Sequence, residues 1–203
     1  MKVVPGKRGF DCALAAVLIV VFAPLLLVLA LLIKLDDGGP VLFRQQRTGF
    51  RGRPFTILKF RTMIVDAPAR GRAITVGADA RITRIGRWLR ASKLDELPQL
   101  FNVLKAEMSF VGPRPEVPRY TDDYAREDRV VLARRPGLTD PSSLRYRCES
   151  DLLALAGDPE HTYRTRILPD KLRGSARYAR RQTLASDLRV LVGTAFPWRG
   201  MAT

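Results

Sequence analysis

The sequence predicts an α+β protein with three parts: a re-entrant helix–break–helix in a membrane, interfacial amphipathic helices, and a mostly helical domain with a small β-hairpin. Three observations predict it. Residues 12–33 are 22 consecutive positions without a charged side chain. Two short apolar stretches, residues 41–46 and 54–60, flank a basic turn that contains two glycines. Apolar side chains then recur at helical spacing over much of the remaining chain. We therefore assign residues 1–36 to an anchor and residues 37–203 to one domain.

The apolar run is long enough to cross a bilayer, but its surroundings favour a hairpin that enters and leaves on one side. Lys7 and Arg8 precede the run and Lys34 follows it, and basic flanks stay on the cytoplasmic side. Pro24 lies near the middle, where it removes a helix hydrogen bond, so we expect a break there. A snorkelling Arg8 or Lys7 would then donate to the freed carbonyl groups. A spanning helix is the alternative. A cleaved signal peptide is disfavoured, because "ALLIKLDDGGP" offers a poor cleavage site.

The next elements are a β-hairpin and a basic helix. Alternation in residues 41–46 and 54–60 predicts the hairpin, which we expect to lie on the membrane-proximal face. Residues 65–80 are small and polar, which predicts a loop. Helical spacing follows at Ile82, Ile85, Trp88 and Leu89, with an arginine at every third position from 81 to 90. This pattern is typical of an amphipathic helix at a membrane interface, the alternative being an ordinary surface helix.

The later segments alternate between helices and irregular stretches. A second helix is predicted by Leu94, Leu97, Leu100, Phe101 and Leu104. Three prolines predict an irregular segment at residues 110–118. A loop is predicted at residues 133–143. Helical patterns return at residues 151–156, 163–178 and 184–192.

The charge of the chain indicates an anionic partner. Lys and Arg number 35 against 20 Asp and Glu, which gives a net charge of +15. Such an excess is typical of proteins that bind nucleic acid, an anionic membrane or a phosphorylated substrate. We expect no nucleic acid, because basic and aromatic residues are not interleaved and no nucleic-acid-binding motif is present. The cysteines, Cys12 and Cys148, do not suggest a disulfide framework, which favours a reducing compartment.

Two adjacent carboxylates, Asp95 and Glu96, stand between leucines and cations. Ser92, three residues before Asp95, matches a capping box, which would place Asp95 in the first turn of a helix. The helix dipole would then lower the pKa of Asp95 and keep it ionised. Two interpretations stay open on the residues alone. The pair caps a helix, or Asp95 is a nucleophile on phosphorus while Glu96 assists with a proton or holds a metal.

The longer pattern resembles a known family. The run "DARITRIGRWLRASKLDELPQLFNVLKAEMSFVGPRPE", residues 79–116, is similar to the signature of the bacterial sugar transferases, the monotopic phosphoglycosyl transferases. "LFRQQRTGFRGRPFTILKFRTM", "RRPGLT" and the apolar run around Pro24 resemble further elements of that family. The likeness covers about residues 5–145, and the remaining tail more loosely. Two positions differ: Ala23 where serine is common, and Asp140 where glycine is frequent.

The resemblance implies an activity. Members transfer a phospho-sugar from a UDP-sugar to polyprenyl phosphate at an anionic membrane, here the cytoplasmic face of the bacterial inner membrane, with Mg²⁺ as cofactor. By matching position, Asp95 would form a phosphosugar–aspartyl intermediate, Glu96 would be its partner, and both are candidate metal ligands. Candidate phosphate-binding residues are Lys59, Arg61, Arg90 and Arg114. Candidates for the nucleotide-sugar loop are Arg135, Pro136, Gly137 and Thr139.

Two alternatives to this covalent transfer remain open. The first is direct transfer in a ternary complex, with Asp95 only a metal ligand. The second is a non-enzymatic protein that binds membranes or polyanions.

Overall fold

The computed structural model describes residues 4–67, 76–77 and 79–195, which form an α+β fold. The helices are α1 (Lys7–Asp37), α2 (Arg84–Ser92), α3 (Gln99–Leu104), α4 (Pro118–Thr121), α5 (Pro141–Arg145), α6 (Glu149–Ala154), α7 (Pro159–Thr162), α8 (Leu168–Arg181) and α9 (Leu184–Ala195). The strands are β1 (Leu42–Thr48), β2 (Pro54–Phe60), β3 (Ser109–Val111) and β4 (Gly137–Thr139).

Helix α1 is continuous, and it is long and apolar enough to cross a membrane. Pro24 lies inside it, so the predicted separation into two helices is wrong. A proline removes one backbone hydrogen bond, and packing on both sides of Pro24 compensates for that loss. Ala15 on one side is fully buried, as are Leu29 and Ile33 on the other.

The two faces of α1 have different environments. One face packs along the domain: Ala15 joins a core cluster with Leu100 and Met108, while Leu29 joins another with Phe60. The opposite face is apolar and exposed at Val17, Val20, Val21, Leu27, Val28, Leu31, Leu32 and Leu35. Their spacings place these positions on one side of the helix, both before and after Pro24. The helix therefore lies lengthwise against the domain and presents an apolar stripe outward.

Both ends of α1 are tied to the same domain. At the start, Arg8 donates to the carbonyl oxygens of Val103 at 2.7 Å and Leu104 at 3.0 Å. Both carbonyls belong to the last turn of α3, and the Val103 oxygen also accepts the Ala106 N–H at 3.0 Å. The prediction that Arg8 serves carbonyls freed by Pro24 is therefore wrong. At the end, Asp37 forms a two-pronged ion pair with Arg61 just after β2.

The predicted β-hairpin is confirmed. Strands β1 and β2 pair antiparallel from Leu42 opposite Phe60 to Thr48 opposite Pro54. A short 3₁₀ turn at Phe50–Gly52 connects them, with Gly52 in the left-handed region at φ 77°. Phe55 and Ile57 of β2 point into the core cluster that also contains residues of α3. The hairpin therefore packs against α3 through β2.

Helix α2 is also confirmed, although it begins two residues later than the apolar pattern. The Thr83 side chain accepts from the Gly86 amide and caps the helix, while Ile82 forms an isolated bridge with Met63. Leu89 is fully buried against α1, and Trp88 stays half exposed.

The prediction of a loop at residues 133–143 is wrong. Strand β4 pairs in parallel with β3, with Gly137 opposite Ser109, and α5 follows after Asp140. A side chain at Gly137 would collide with the backbone of Gly112, because its Cβ would lie 2.2 Å from that nitrogen. Strands of three residues leave no alternation to detect, which explains the error.

The three C-terminal helical patterns are confirmed in α6, in α8 with the turns before it, and in α9. The loop predicted at residues 65–80 lies largely outside the described residues.

Candidate active site

The segment between α2 and α3 carries the two adjacent carboxylates. Ser92 ends α2 rather than starting a helix: its Oγ donates to the carbonyl oxygens of Trp88 and Leu89. Lys93 then turns the chain in the left-handed region, at φ 59°. A 3₁₀ turn follows at Leu94–Glu96, and α3 begins only at Gln99. The predicted cap at Ser92 is therefore wrong, and the second predicted helix is a 3₁₀ turn followed by a short α-helix.

Asp95 is nearly buried and unpaired. It is 8% exposed, and its carboxylate forms no hydrogen bond or ion pair with any residue in the described ranges. Burial raises the pKa of Asp95, and the nearby charges of Lys59 and Arg90 oppose that rise without cancelling it. The predicted lowering by a helix dipole is thus wrong, because no α-helix begins at this residue.

Glu96 has the opposite environment. One oxygen, Oε1, accepts from Lys59 Nζ at 2.6 Å and from Arg114 Nη2 at 3.0 Å. Burial raises the pKa of Glu96, but these two cations outweigh it and hold the pKa well below the ordinary range. These two cations therefore favour the ionised form of Glu96, and through them Glu96 joins β2 to the segment after β3.

The structure brings three of the four candidate phosphate-binding cations to this pair. Lys59 and Arg114 bind Glu96 directly. Arg90 lies close enough to influence the Asp95 carboxylate and donates from Nε to the Thr62 hydroxyl at 2.8 Å. Lys59 and Arg90 thus lie near Asp95, whose oxygens accept no hydrogen bond from the described residues.

Arg61 has a structural role instead. Its guanidinium binds Asp37 through two nitrogens and donates to the carbonyl oxygens of Pro40 at 2.6 Å and Met63 at 3.0 Å. Because these contacts occupy the group, the prediction that Arg61 clamps phosphate is not supported. Arg61 fastens the end of α1 to the hairpin.

The candidate loop residues also have structural contacts. Arg135 donates to the Ala106 carbonyl oxygen at 2.9 Å, and the Pro136 carbonyl accepts from Ser109 at 2.8 Å. The Thr139 hydroxyl lies 2.9 Å from that of Thr194. Gly137 packs against Gly112 as described above. In the described contacts, these four residues build the β3–β4 sheet and do not reach Asp95 or Glu96.

Residue reasoning missed Asp140 as part of the support of this site. The buried Asp140 carboxylate accepts the Arg114 backbone N–H at 2.9 Å and the Ser143 N–H at 2.8 Å. It therefore caps α5 and fixes the backbone that presents Arg114 to Glu96. The aspartate followed by proline and two serines was an available capping signal.

The donor set fits a Mg²⁺ ion. Both oxygens of Asp95 and Oε2 of Glu96 accept no hydrogen bond within the described residues. No cluster of three or more potential ligands exists in the part of the chain that was described. Mg²⁺ is commonly held by one or two carboxylates together with substrate phosphates, so two carboxylates suffice if a diphosphate supplies the remaining oxygens.

The carboxylate of Asp95 thus lies near cations, in a segment whose leucines, Leu94 and Leu97, pack against the apolar helix α1. The family model described as bacterial sugar transferase matches residues 2–199. The chain belongs to the bacterial sugar transferase family, as the sequence resemblance indicated.

Individual relatives agree with the family. The chain is 49% identical over 142 residues to "UDP-glucose:undecaprenyl-phosphate glucose-1-phosphate transferase" of Caulobacter vibrioides, across 68% of this chain and 53% of that protein. It is 54% identical over 144 residues to "Undecaprenyl-phosphate glucose phosphotransferase" of Komagataeibacter xylinus, across 66% and 26%. It is 35% identical over 204 residues to "Exopolysaccharide production protein ExoY" of Rhizobium meliloti, across 93% and 83%. The chain thus spans about half or less of the first two relatives and most of the third.

Proposed function

We propose that this chain transfers a phospho-sugar from a UDP-sugar to undecaprenyl phosphate or a similar polyprenyl phosphate. The products are UMP and a polyprenyl diphospho-sugar. The names of relatives supply the substrate classes, since they specify UDP-glucose or UDP-N-acetylgalactosamine and undecaprenyl phosphate. The observation that carries the proposal is the unpaired, cation-surrounded carboxylate of Asp95 within the family's matched region.

The chemistry proceeds in two displacements at one phosphorus atom. An Asp95 oxygen attacks the phosphorus that bears the sugar, the bond from that phosphorus to the bridging oxygen breaks, and UMP departs with the electron pair. An oxygen of polyprenyl phosphate then attacks the same phosphorus, and the bond to Asp95 breaks to restore the carboxylate. Both nucleophiles are anions, so neither step requires a proton from the protein.

Glu96 organises this site electrostatically. Because Lys59 and Arg114 hold it ionised, it does not serve as a proton donor near neutral pH. It instead holds these two cations at the carboxylate pair, where they can bind phosphate oxygens. Mg²⁺, held by Asp95 and Glu96, would neutralise diphosphate oxygens and stabilise the departing phosphate.

A re-entrant membrane position is part of the proposal. The exposed apolar stripe of α1 would contact lipid, while both helix ends remain bound to the domain through Arg8 and Arg61. A helix that carried its ends to opposite sides of a bilayer would have to break one of these attachments. The basic helix α2 with its half-exposed Trp88 would lie at the interface. We place the domain on the cytoplasmic leaflet, where each nearby Lys or Arg contributes about 1 kcal/mol.

Turnover tests the reaction. The full chain, purified with undecaprenyl phosphate and Mg²⁺, is given a panel of UDP-sugars, and UMP release is followed. At least one donor should yield UMP, and Asp95→Asn should reduce its release by about 10³-fold or more. If the folded protein releases no UMP from any donor, the proposed reaction is wrong.

Omission of the lipid acceptor tests the covalent step. One equivalent of UMP should appear, and mass spectrometry should find a phospho-sugar on the peptide containing Asp95. A direct ternary mechanism gives neither signal. A non-enzymatic binding protein would give no turnover and would keep or gain polyanion affinity in Asp95→Asn.

Cysteine labelling tests the anchor. In a background without Cys12 and Cys148, two exposed positions receive a cysteine: Pro5→Cys just before α1 and Asp36→Cys in its last turn. Both should react with a membrane-impermeant maleimide in inside-out vesicles and in no right-side-out vesicles, whereas Val21→Cys should be protected in both. Labelling of the two flanks from opposite sides would establish a spanning helix instead.

A further inference from the structure

Gln99, the first residue of α3, carries a buried amide without a partner. The residue is 2% exposed, and its Nε2 group donates to no residue within the described ranges. Arg47 and Arg134 each have a buried unpaired Nε as well, but their guanidinium groups bind carbonyl oxygens through other nitrogens. A buried donor left unpaired opposes folding. An Nε2 group with no acceptor among the described residues therefore calls for a role outside this state.

The neighbours of Gln99 show where its side chain lies. Three residues earlier, Glu96 pairs with Lys59 of β2. Three residues later, the Asn102 amide donates to the Thr56 carbonyl oxygen at 2.8 Å and accepts from the Leu58 N–H at 3.0 Å, again on β2. Residues three apart on a helical segment share a face. Gln99 therefore lies on the β2-facing side, between Asn102 and the two carboxylates.

Asp95 is the complementary group. It precedes Gln99 by four residues, and the intervening Leu97 and Pro98 have right-handed helical backbone angles. Side chains four apart on such a backbone are neighbours, and aspartate–glutamine pairs at this spacing form hydrogen bonds. The structure thus holds an unpaired buried donor and an unpaired acceptor one turn apart.

We propose that Gln99 is a positioning residue that donates from Nε2 to the Asp95 carboxylate during the reaction. The inference rests on the proposed function. With one Asp95 oxygen held by the amide, the other is directed at phosphorus in the first displacement. When the second displacement returns the electron pair to Asp95, the same donor stabilises the departing carboxylate.

The matched control is Gln182, another buried glutamine. Its Nε2 donates to the Val111 carbonyl oxygen at 3.1 Å and to Asp187 at 3.0 Å. Replacement by methionine removes the side-chain amide at either position. The amide lost at Gln182 is hydrogen-bonded, whereas the one lost at Gln99 is unpaired. We expect Gln182→Met to lower Tm by several degrees and to keep kcat per folded molecule. Gln99→Met should not lower Tm.

The kinetic test measures kcat and KM for a UDP-sugar that the wild type uses. Gln99→Met should reduce kcat roughly 10- to 100-fold, as expected for loss of a hydrogen bond to a charged group. KM should stay within about twofold of wild type, because Gln99 is too buried to bind the donor. Gln99→Glu, which keeps the shape but replaces the N–H donor by an oxygen, should reduce kcat at least as much.

Two results would overturn the inference. One is a wild-type kcat in Gln99→Met, and the other is a fall in Tm equal to that of Gln182→Met, which would make the amide structural. A wild-type chain that releases no UMP refutes the proposed function instead, so the two failures are distinguishable.

Discussion

Two buried acidic clusters in this molecule differ in how completely their oxygens are paired. In the first, at the start of α1, Lys7 lies 2.5 Å from Asp187 and 3.5 Å from Asp11. Ser109 donates to Asp11 at 2.7 Å, and Tyr178 donates to Asp187 at 2.6 Å. In the second, Glu96 is paired at one oxygen, and Asp95 accepts no hydrogen bond from the described residues.

Under the proposed function, this difference distinguishes a structural cluster from a reactive one. The α1 cluster has a donor for each carboxylate and joins α1, β3 and α9, so its charges serve folding. At the candidate active site, Lys59 and Arg90 lie close enough to influence the charge of Asp95, and Arg114 binds Glu96. Within the described residues, none of these cations donates a hydrogen bond to Asp95. A group that must bind substrate has to keep its oxygens free, and burial makes that freedom costly.

The largest expected effect is on turnover at the unpaired carboxylate. Asp95→Asn should reduce UMP release by about 10³-fold or more, because the nucleophile is lost. Its Tm should not fall, since the substitution removes a desolvated charge with no partner. Thermal unfolding and UMP release on one preparation check both outcomes. A large fall in Tm would show that Asp95 is structural, like the α1 cluster.

The cluster at the start of α1 should respond in the opposite way, with a loss of stability and unchanged turnover. Asp187→Asn leaves Lys7 and Tyr178 without their acceptor charge, which should cost about 3 kcal/mol. The corresponding Tm falls by roughly 10 °C, while kcat per folded molecule stays near wild type. Unchanged stability in this variant would remove the contrast between the clusters.

Lys59 pairs with Glu96 and lies near Asp95, so its replacement should affect both carboxylates. Lys59→Met should reduce kcat/KM by about 100-fold through loss of charge at the phosphate site. Arg61→Met is the matched control two residues away: it should lower Tm, since Asp37 loses its partner, but keep kcat/KM within about threefold of wild type. Equal kinetic losses in both variants would return Arg61 to the phosphate site.

The smallest effect is on the pH dependence of stability, where Asp95 and Glu96 should act in opposite directions. The folded pKa of Glu96 lies below its ordinary 4.5, so its contribution is present above that pH and is lost as pH falls further. The folded pKa of Asp95 lies above its ordinary 3.8, so acidification through it favours the native state.

Tm measured between about pH 3.5 and 7 checks this difference. Glu96→Gln should lose less stability than wild type on acidification below pH 4.5, whereas Asp95→Asn should lose more. Parallel curves for the three proteins would contradict the opposite assignments of the two carboxylates.

Patterns confined to neighbouring residues predicted much of the fold. Alternation on both sides of a glycine turn identified the hairpin, and helical spacing at Ile85 and Leu89 identified α2. The same local signals failed where a distant partner decided the outcome. Ser92 matched a capping box, yet its hydroxyl bonds back into α2. Pro24 matched a helix break, yet packing on both halves keeps α1 continuous.

The sequence by itself determined the long apolar helix, the family, and the position of the acidic pair, because each is recorded in consecutive residues. Only the tertiary structure decided that Glu96 is paired and Asp95 is not. The partners of Glu96 come from 37 residues before it and 18 residues after it. No local pattern encodes which of two adjacent carboxylates those cations reach, since that depends on how β2 and the segment after β3 pack around α3.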